Sequence, residues 1–105
     1  MIKLKEREAP VIAVVAKIKA KKGEEGKVEK ALRGVIPKVR EEEGTLAYNL
    51  HRSQNDKCLF MVYEKYSDMN AFMAHGSTPY LKEMFDVILP LLDGSLEIEM
   101  YDELV

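Results

Sequence analysis

The sequence predicts an α+β fold of the ferredoxin-like plan, β-α-β-β-α-β, in a single domain over residues 1–105. Three observations carry that prediction. Four stretches are apolar or alternate as strands do, and two of them are adjacent across a polar turn. Helical blocks with apolar stripes of period 3.6 separate the others. A chain of 105 residues also leaves no room for a second core. Right-handed crossovers then give a four-stranded antiparallel sheet with its helices on one face.

Residues 1–9 alternate weakly, Ile2 and Leu4 against Lys3 and Lys5, which suits an N-terminal arm or a short strand. After Pro10, residues 11–20 are β-branched and pass into clean alternation, Ala16, Ile18 and Ala20 against Lys17 and Lys19. Gly23 and Gly26 mark the following turn. Val28, Ala31, Leu32, Val35 and Val39 then form one helical stripe, with Pro37 expected to bend the helix. The run Glu41-Glu42-Glu43 stands at the negative end of that helix, where acids favour fraying, and reads as a solvated corner before Gly44.

Residues 45–52 alternate Leu46, Tyr48 and Leu50 against Ala47, Asn49 and His51, and residues 53–57 form a polar turn. The return strand, 58–66, puts Phe60, Val62, Glu64 and Tyr66 on one face and Leu59, Met61, Tyr63 and Lys65 on the other. Ser67 is the candidate N-cap of a short helix ending at His75-Gly76. Thr78-Pro79 starts a second helix with the stripe Leu81, Met84, Phe85, Ile88 and Leu92, ended or kinked by Pro90. Residues 95–101 alternate as a half-exposed strand. Whichever sheet face the helices leave bare still carries apolar residues, so a homodimer packed sheet against sheet is expected.

Charge and composition remove several classes of function. A net charge of −2, with basic residues no more clustered than short lysine pairs, gives a phosphate backbone little to hold. Nucleic acid is therefore not expected as a partner. No apolar run approaches the ~18 residues of a membrane span, and the charged N-terminus is unlike a signal peptide. No membrane partner is expected, and the expected location is cytoplasmic. The single cysteine, Cys58, suits a reducing compartment and reads as a small core residue. Glycine-rich phosphate loops, Cys/His metal spacings and a Gly-x-Ser-x-Gly elbow are all missing, so no metal and no cofactor are expected.

Candidate chemistry gathers around His75. At the junction of two helices, the ring either caps the last carbonyls of the short helix or faces a cavity as a neutral-pH base. Glu64 stands in an apolar row, where a carboxylate is either paired or buried with a raised pKa. Tyr66 either packs in the core or offers its hydroxyl to a substrate oxygen. Phe72, Met73, Tyr80 and Met84 would line a substrate-binding space here, or else form ordinary core. Asn49 and His51 read as surface or as a cross-strand pair.

Three segments in order resemble the antibiotic biosynthesis monooxygenase (ABM) family: residues 43–52, 60–66 and 72–80. The shared pattern is Glu-Gly-x-x-x-Tyr leading into the second strand, Tyr-Glu-x-aromatic closing the third, and a histidine closing the short helix. The likeness runs over residues 10–101. It implies a dimeric α+β barrel made of two ferredoxin-like sheets. It also implies, as in several members, a cofactor-independent monooxygenase acting on a phenolic or quinol-type aromatic with dioxygen. In that chemistry a base deprotonates the phenol and the electron-rich anion itself reduces dioxygen, while the protein supplies a dry pocket and orientation. By position, His75 would be the base or proton shuttle, Tyr66 a hydrogen-bonding aromatic wall, and Glu64 an orienting carboxylate. Haem-degrading members pair their histidine with a first-strand asparagine and a tryptophan closing the third strand. This chain has no Trp, and Tyr66 stands at that place, so haem degradation is not expected. The alternatives are a non-catalytic small-ligand-binding dimer of the same fold, and a structural dimer whose interior is filled by Phe72, Tyr80 and Met84.

Overall fold

A computed structural model describes residues 10–105, so the arm or strand expected at residues 1–9 lies outside the described residues. The chain runs β1 (Ile12–Lys19), α1 (Glu25–Val39), β2 (Thr45–Arg52), β3 (Leu59–Tyr66), α2 (Met69–Gly76), α3 (Pro79–Ile88) and β4 (Glu97–Asp102). A short 3-10 turn, Leu89–Leu91, follows α3 where Pro90 ends the α-helical ladder. The strands form one antiparallel sheet in the order β2-β3-β1-β4, the ferredoxin-like arrangement that the element order predicts. No helix among the described residues is long and apolar enough to cross a membrane.

Register settles the faces that alternation alone leaves open. Glu64 pairs with Val14 on one side and Tyr48 on the other, and Val62 with Ala16 and Leu50. These residues share the helix-covered face with Ile18, Phe60 and Tyr66, while Val15, Leu59, Met61 and Tyr63 share the bare one. The stripe Val28, Leu32, Val35 and Val39 of α1 and Leu81, Met84 and Ile88 of α3 are buried over Ala16, Ile18, Phe60 and Val62. Each such side chain contributes about 1.5–3 kcal/mol of burial free energy. A smaller cluster of Ile12, Val14 and Tyr66 packs against Ala71 and Phe72 of α2. The site lies over this second cluster.

Several local expectations are corrected. Gly26 lies inside α1, and the turn rests on Gly23, whose φ of +90° is the left-handed region that favours glycine. Pro37 sits in the last turn of α1, which continues to Val39. Leu46 leaves the Tyr48 row because a bulge between Thr45 and Ala47 makes it the extra, exposed residue. Asp68, not Ser67, caps α2: its carboxylate accepts the Ala71 N–H at 2.8 Å and adds negative charge at the helix start. Strand β4 begins at Glu97 and is exposed along its whole length, not half of it. The helices do not extend over it, so Ile98 stands 52% exposed beside Ala16 and opens one flank of the helix layer.

Candidate functional site

His75 occupies the last turn of α2. That helix is drawn close to the start of β2, where a Cβ on Gly44 would sit 2.3 Å from the Ala71 Cβ. The approach buries the His75 ring to 3% exposure, with ring centres 5.2 Å from Tyr66 and 5.5 Å from Tyr48. The ring does not cap its helix. The Ser77 N–H donates to the Ala74 carbonyl and the Thr78 N–H to the His75 carbonyl, while the Ser77 hydroxyl donates to the Met73 carbonyl and the Thr78 hydroxyl to the His75 carbonyl.

The ring nitrogens instead face two carboxylates on opposite edges. Nδ1 lies 3.0 Å from Oε1 and 3.2 Å from Oε2 of Glu42. Nε2 lies 4.0 Å from Oε1 of Glu64. The Tyr66 hydroxyl donates to that same Glu64 oxygen at 2.5 Å. Glu42 also accepts from the Thr45 hydroxyl at 3.0 Å and from the Tyr80 hydroxyl. A carboxylate only accepts, so the hydrogen-bond network assigns the ring proton to Nδ1 and leaves the Nε2 lone pair on the Glu64 side. Because the carboxylates approach opposite ring edges, they share no centre for a cation. Among the described residues no three His, Cys, Asp or Glu side chains are grouped to hold a metal ion.

Glu42 is the correction of most consequence. It is not part of a solvated corner, since its side chain is 17% exposed and bonded to three side chains, whereas Glu41 and Glu43 are exposed. The turn from α1 into β2, closed by N–H donation from Glu42 to Val39 and from Thr45 to Glu42, carries this side chain under the end of α2. A signal was present in the sequence. An acid at the negative end of a helix is unfavourable unless something else holds it.

Burial dominates the protonation of the site. It pulls His75 below the ordinary imidazole value, against the opposing charge and hydrogen bond of Glu42. It pushes Glu64 up to about 7, against the Tyr66 hydrogen bond and helped by the Glu42 charge. The Tyr48 and Tyr66 hydroxyls are raised well above the ordinary phenol range, first by burial and then by Glu64. Burial therefore favours the uncharged imidazole and the protonated form of its neighbouring carboxyl.

A cavity of about 360 Å3 opens between the sheet and helices α2 and α3, within the size range of small-ligand sites. Val14, Ala16 and Val62 form its floor, and Phe72, Leu81, Phe85 and Ile98 its walls. Glu64 and His75 are its buried polar groups, while Lys82 and Asp86, paired at 3.0 Å, stand exposed at the rim. A separate hollow of about 420 Å3 between α1 and β2 is lined by Glu29, Arg33, Arg40 and Arg52, and Glu29 pairs with both Arg33 and Arg52.

Of the four residues expected to bind substrate, Phe72 alone lines the first cavity. Met73 is 60% exposed, because the helical turn that brings Phe72 inward carries its neighbour outward. Tyr80 turns to Glu42, and Met84 packs in the core at 5% exposure. Tyr66 is wholly buried behind Glu64 and reaches the cavity only through that carboxylate. His51 and Asn49 lie on the other sheet face: His51 Nδ1 is 3.2 Å from the Met61 carbonyl, and Asn49 accepts from Arg40. Leu81 and Phe85 are cavity walls that sequence reading places in an apolar stripe, since periodicity does not separate a wall from a core.

Comparison with known proteins agrees with this fold. A protein of Caulobacter crescentus, provisionally named an antibiotic biosynthesis monooxygenase, is 32% identical over 92% of each chain, with a TM-score of 0.88. A Shewanella oneidensis protein is 28% identical over 91% of this chain and 93% of its own, with a TM-score of 0.86. One from Pseudomonas aeruginosa is 27% identical over 92% and 97%, also with a TM-score of 0.86. No curated protein is a significant match in sequence. The family model for antibiotic biosynthesis monooxygenase matches residues 11–87, and the chain belongs to that family.

Proposed function

We propose that the protein is a cofactor-independent monooxygenase that oxidises a phenolic or quinol-type aromatic with dioxygen. One observation carries the reading: a buried imidazole and a buried carboxyl meet, 4.0 Å apart, at the inner end of an apolar cavity. Burial drives both groups toward their uncharged forms, so His75 keeps a free lone pair while Glu64 still carries a proton to donate. Nε2 takes the phenolic proton, and Glu64 hydrogen-bonds the oxygen. Tyr66 holds Glu64 in place from behind. Phe72 and Phe85 flank the ring of the substrate, and the apolar walls keep water from the anion.

An oxygen-uptake assay with metal-free protein and a panel of quinols tests this. Wild type should consume oxygen, and His75→Ala should lose about 10²–10⁴-fold in rate. Equal rates would remove His75 as the base. Thermal stabilisation by the aromatic with no oxygen consumed would favour the ligand-binding alternative. The structural alternative requires a filled interior, whereas a cavity lies beside His75.

The same reading includes a homodimer packed through the bare sheet face. The half-covered Val15, Leu59, Met61 and Tyr63 support it, and Lys17 with Glu97 and Glu99 on that face supply both signs of charge for a two-fold match. It also includes a cytoplasmic location, consistent with the free thiol of Cys58.

A further inference from the structure

Two openings reach His75 from opposite sides. The apolar cavity meets the ring from the Glu64 side. A second cleft, of about 650 Å3, is lined by Glu42, Glu43, Ser67, Asp68 and Thr78. Among the described residues, His75 alone lines both. Its two nitrogens are divided the same way, Nδ1 on Glu42 and Nε2 toward Glu64.

We propose that Glu42 is the positioning residue of this site, holding His75 in its Nδ1–H tautomer and giving the ring a proton outlet on the side away from the substrate. The proposal rests on the reading of His75 as the base. As the phenolic O–H bond breaks and the Nε2–H bond forms, the imidazolium is balanced by the Glu42 carboxylate. The Nδ1 proton then passes to a Glu42 oxygen and on to water in the second cleft; no electrons move in the relay. The reverse path returns a proton to Nδ1, so that Nε2–H can protonate the oxygenated species in the cavity. Hydroxyl donation from Thr45 and Tyr80 fixes the carboxylate against the ring. Substrate and bulk water thus meet the same imidazole without meeting each other.

Nitrogen-15 NMR of the His75 ring tests this without any substrate, His51 being distinguished by its signal in His75→Ala. The titratable groups around the ring are Glu42, Glu64, Tyr48 and Tyr66, with Tyr80 on Glu42 and the Lys38 ammonium 5.6 Å over the Tyr80 ring. Wild type should show the Nδ1–H tautomer. Glu42→Gln should move the His75 titration to lower pH, because the one charge that favours imidazolium at Nδ1 is gone, and Glu42→Asp should restore part of the shift. An Nε2–H tautomer in wild type, or the same titration in wild type and Glu42→Gln, overturns the proposal. On a substrate that wild type oxidises, Glu42→Gln should lose about 10–100-fold in kcat with KM within about threefold, the size of a supporting-residue effect. Unchanged kcat also overturns it. Failure of wild type to consume oxygen would refute the monooxygenase reading and leave the NMR outcome to decide Glu42.

Discussion

Glu64 shows how one side chain's surroundings become a pH dependence of the whole protein. Its folded pKa of about 7 lies above the ordinary 4.5, so the fold favours the protonated form. That contribution is fully present below about pH 4.5 and is lost as pH rises through about 7. Glu64→Gln, which keeps an acceptor for the Tyr66 hydroxyl, should therefore stabilise the protein at pH 9 by on the order of 1–3 kcal/mol and change little at pH 5. Urea unfolding at the two pH values checks this; an equal difference at both would contradict a buried, raised carboxyl. His75 has the opposite sign. Its lowered pKa makes a contribution present above about 6.5 and lost on acidification. Glu64 was legible in the sequence because a carboxylate in an apolar strand row calls for a partner. For Glu42 the sequence offered only the unfavourable placement of an acidic triplet at a helix end, which does not say which of the three acids is held or that its partner is a histidine 33 residues away.

Secondary-structure elements place the site through two close fits. The Asp68 cap starts α2 in the right register, and its removal in Asp68→Ala should cost about 1 kcal/mol, read as a lower Tm. Gly44 is the tighter constraint. A methyl group there meets Ala71 at 2.3 Å and the Ser67 hydroxyl at 3.1 Å, so α2 must move away from β2. Gly44→Ala should cost about 1–3 kcal/mol and, because α2 carries His75, should also lower oxygen uptake in the folded protein. Full activity with only a lower Tm would show that the helix position does not set the ring position. The helices and the hairpin were legible because their stripes, prolines and turn residues are local signals. The bulge at Leu46 and the choice of Asp68 over Ser67 were not, since both depend on what β3 and α2 pack against.

For the molecule as a whole, element order and the rule of right-handed crossovers leave few topologies, which is why the ferredoxin-like plan could be read from one sequence. The bareness of β4 could not, because alternation in residues 95–101 says nothing about how far the helices reach. That open flank is what makes the interior a cavity with a mouth beside Ile98 rather than a closed core. On the other sheet face the proposed dimer predicts twice the 12.0 kDa chain mass by sedimentation, and Met61→Lys should shift it to the monomer. A wild-type monomer at micromolar concentration would count against the sheet-to-sheet pairing.

The central claim, that His75 removes a proton from a phenol at the buried end of the cavity, is tested most directly without oxygen. Under argon, a chromophoric phenol is mixed with the protein at a pH below the phenol's own pKa, and the phenolate absorbance is read. At the same pH, wild type should hold a larger share of the bound phenol as phenolate than His75→Ala does. Equal phenolate in both proteins, or none in wild type, would contradict the account.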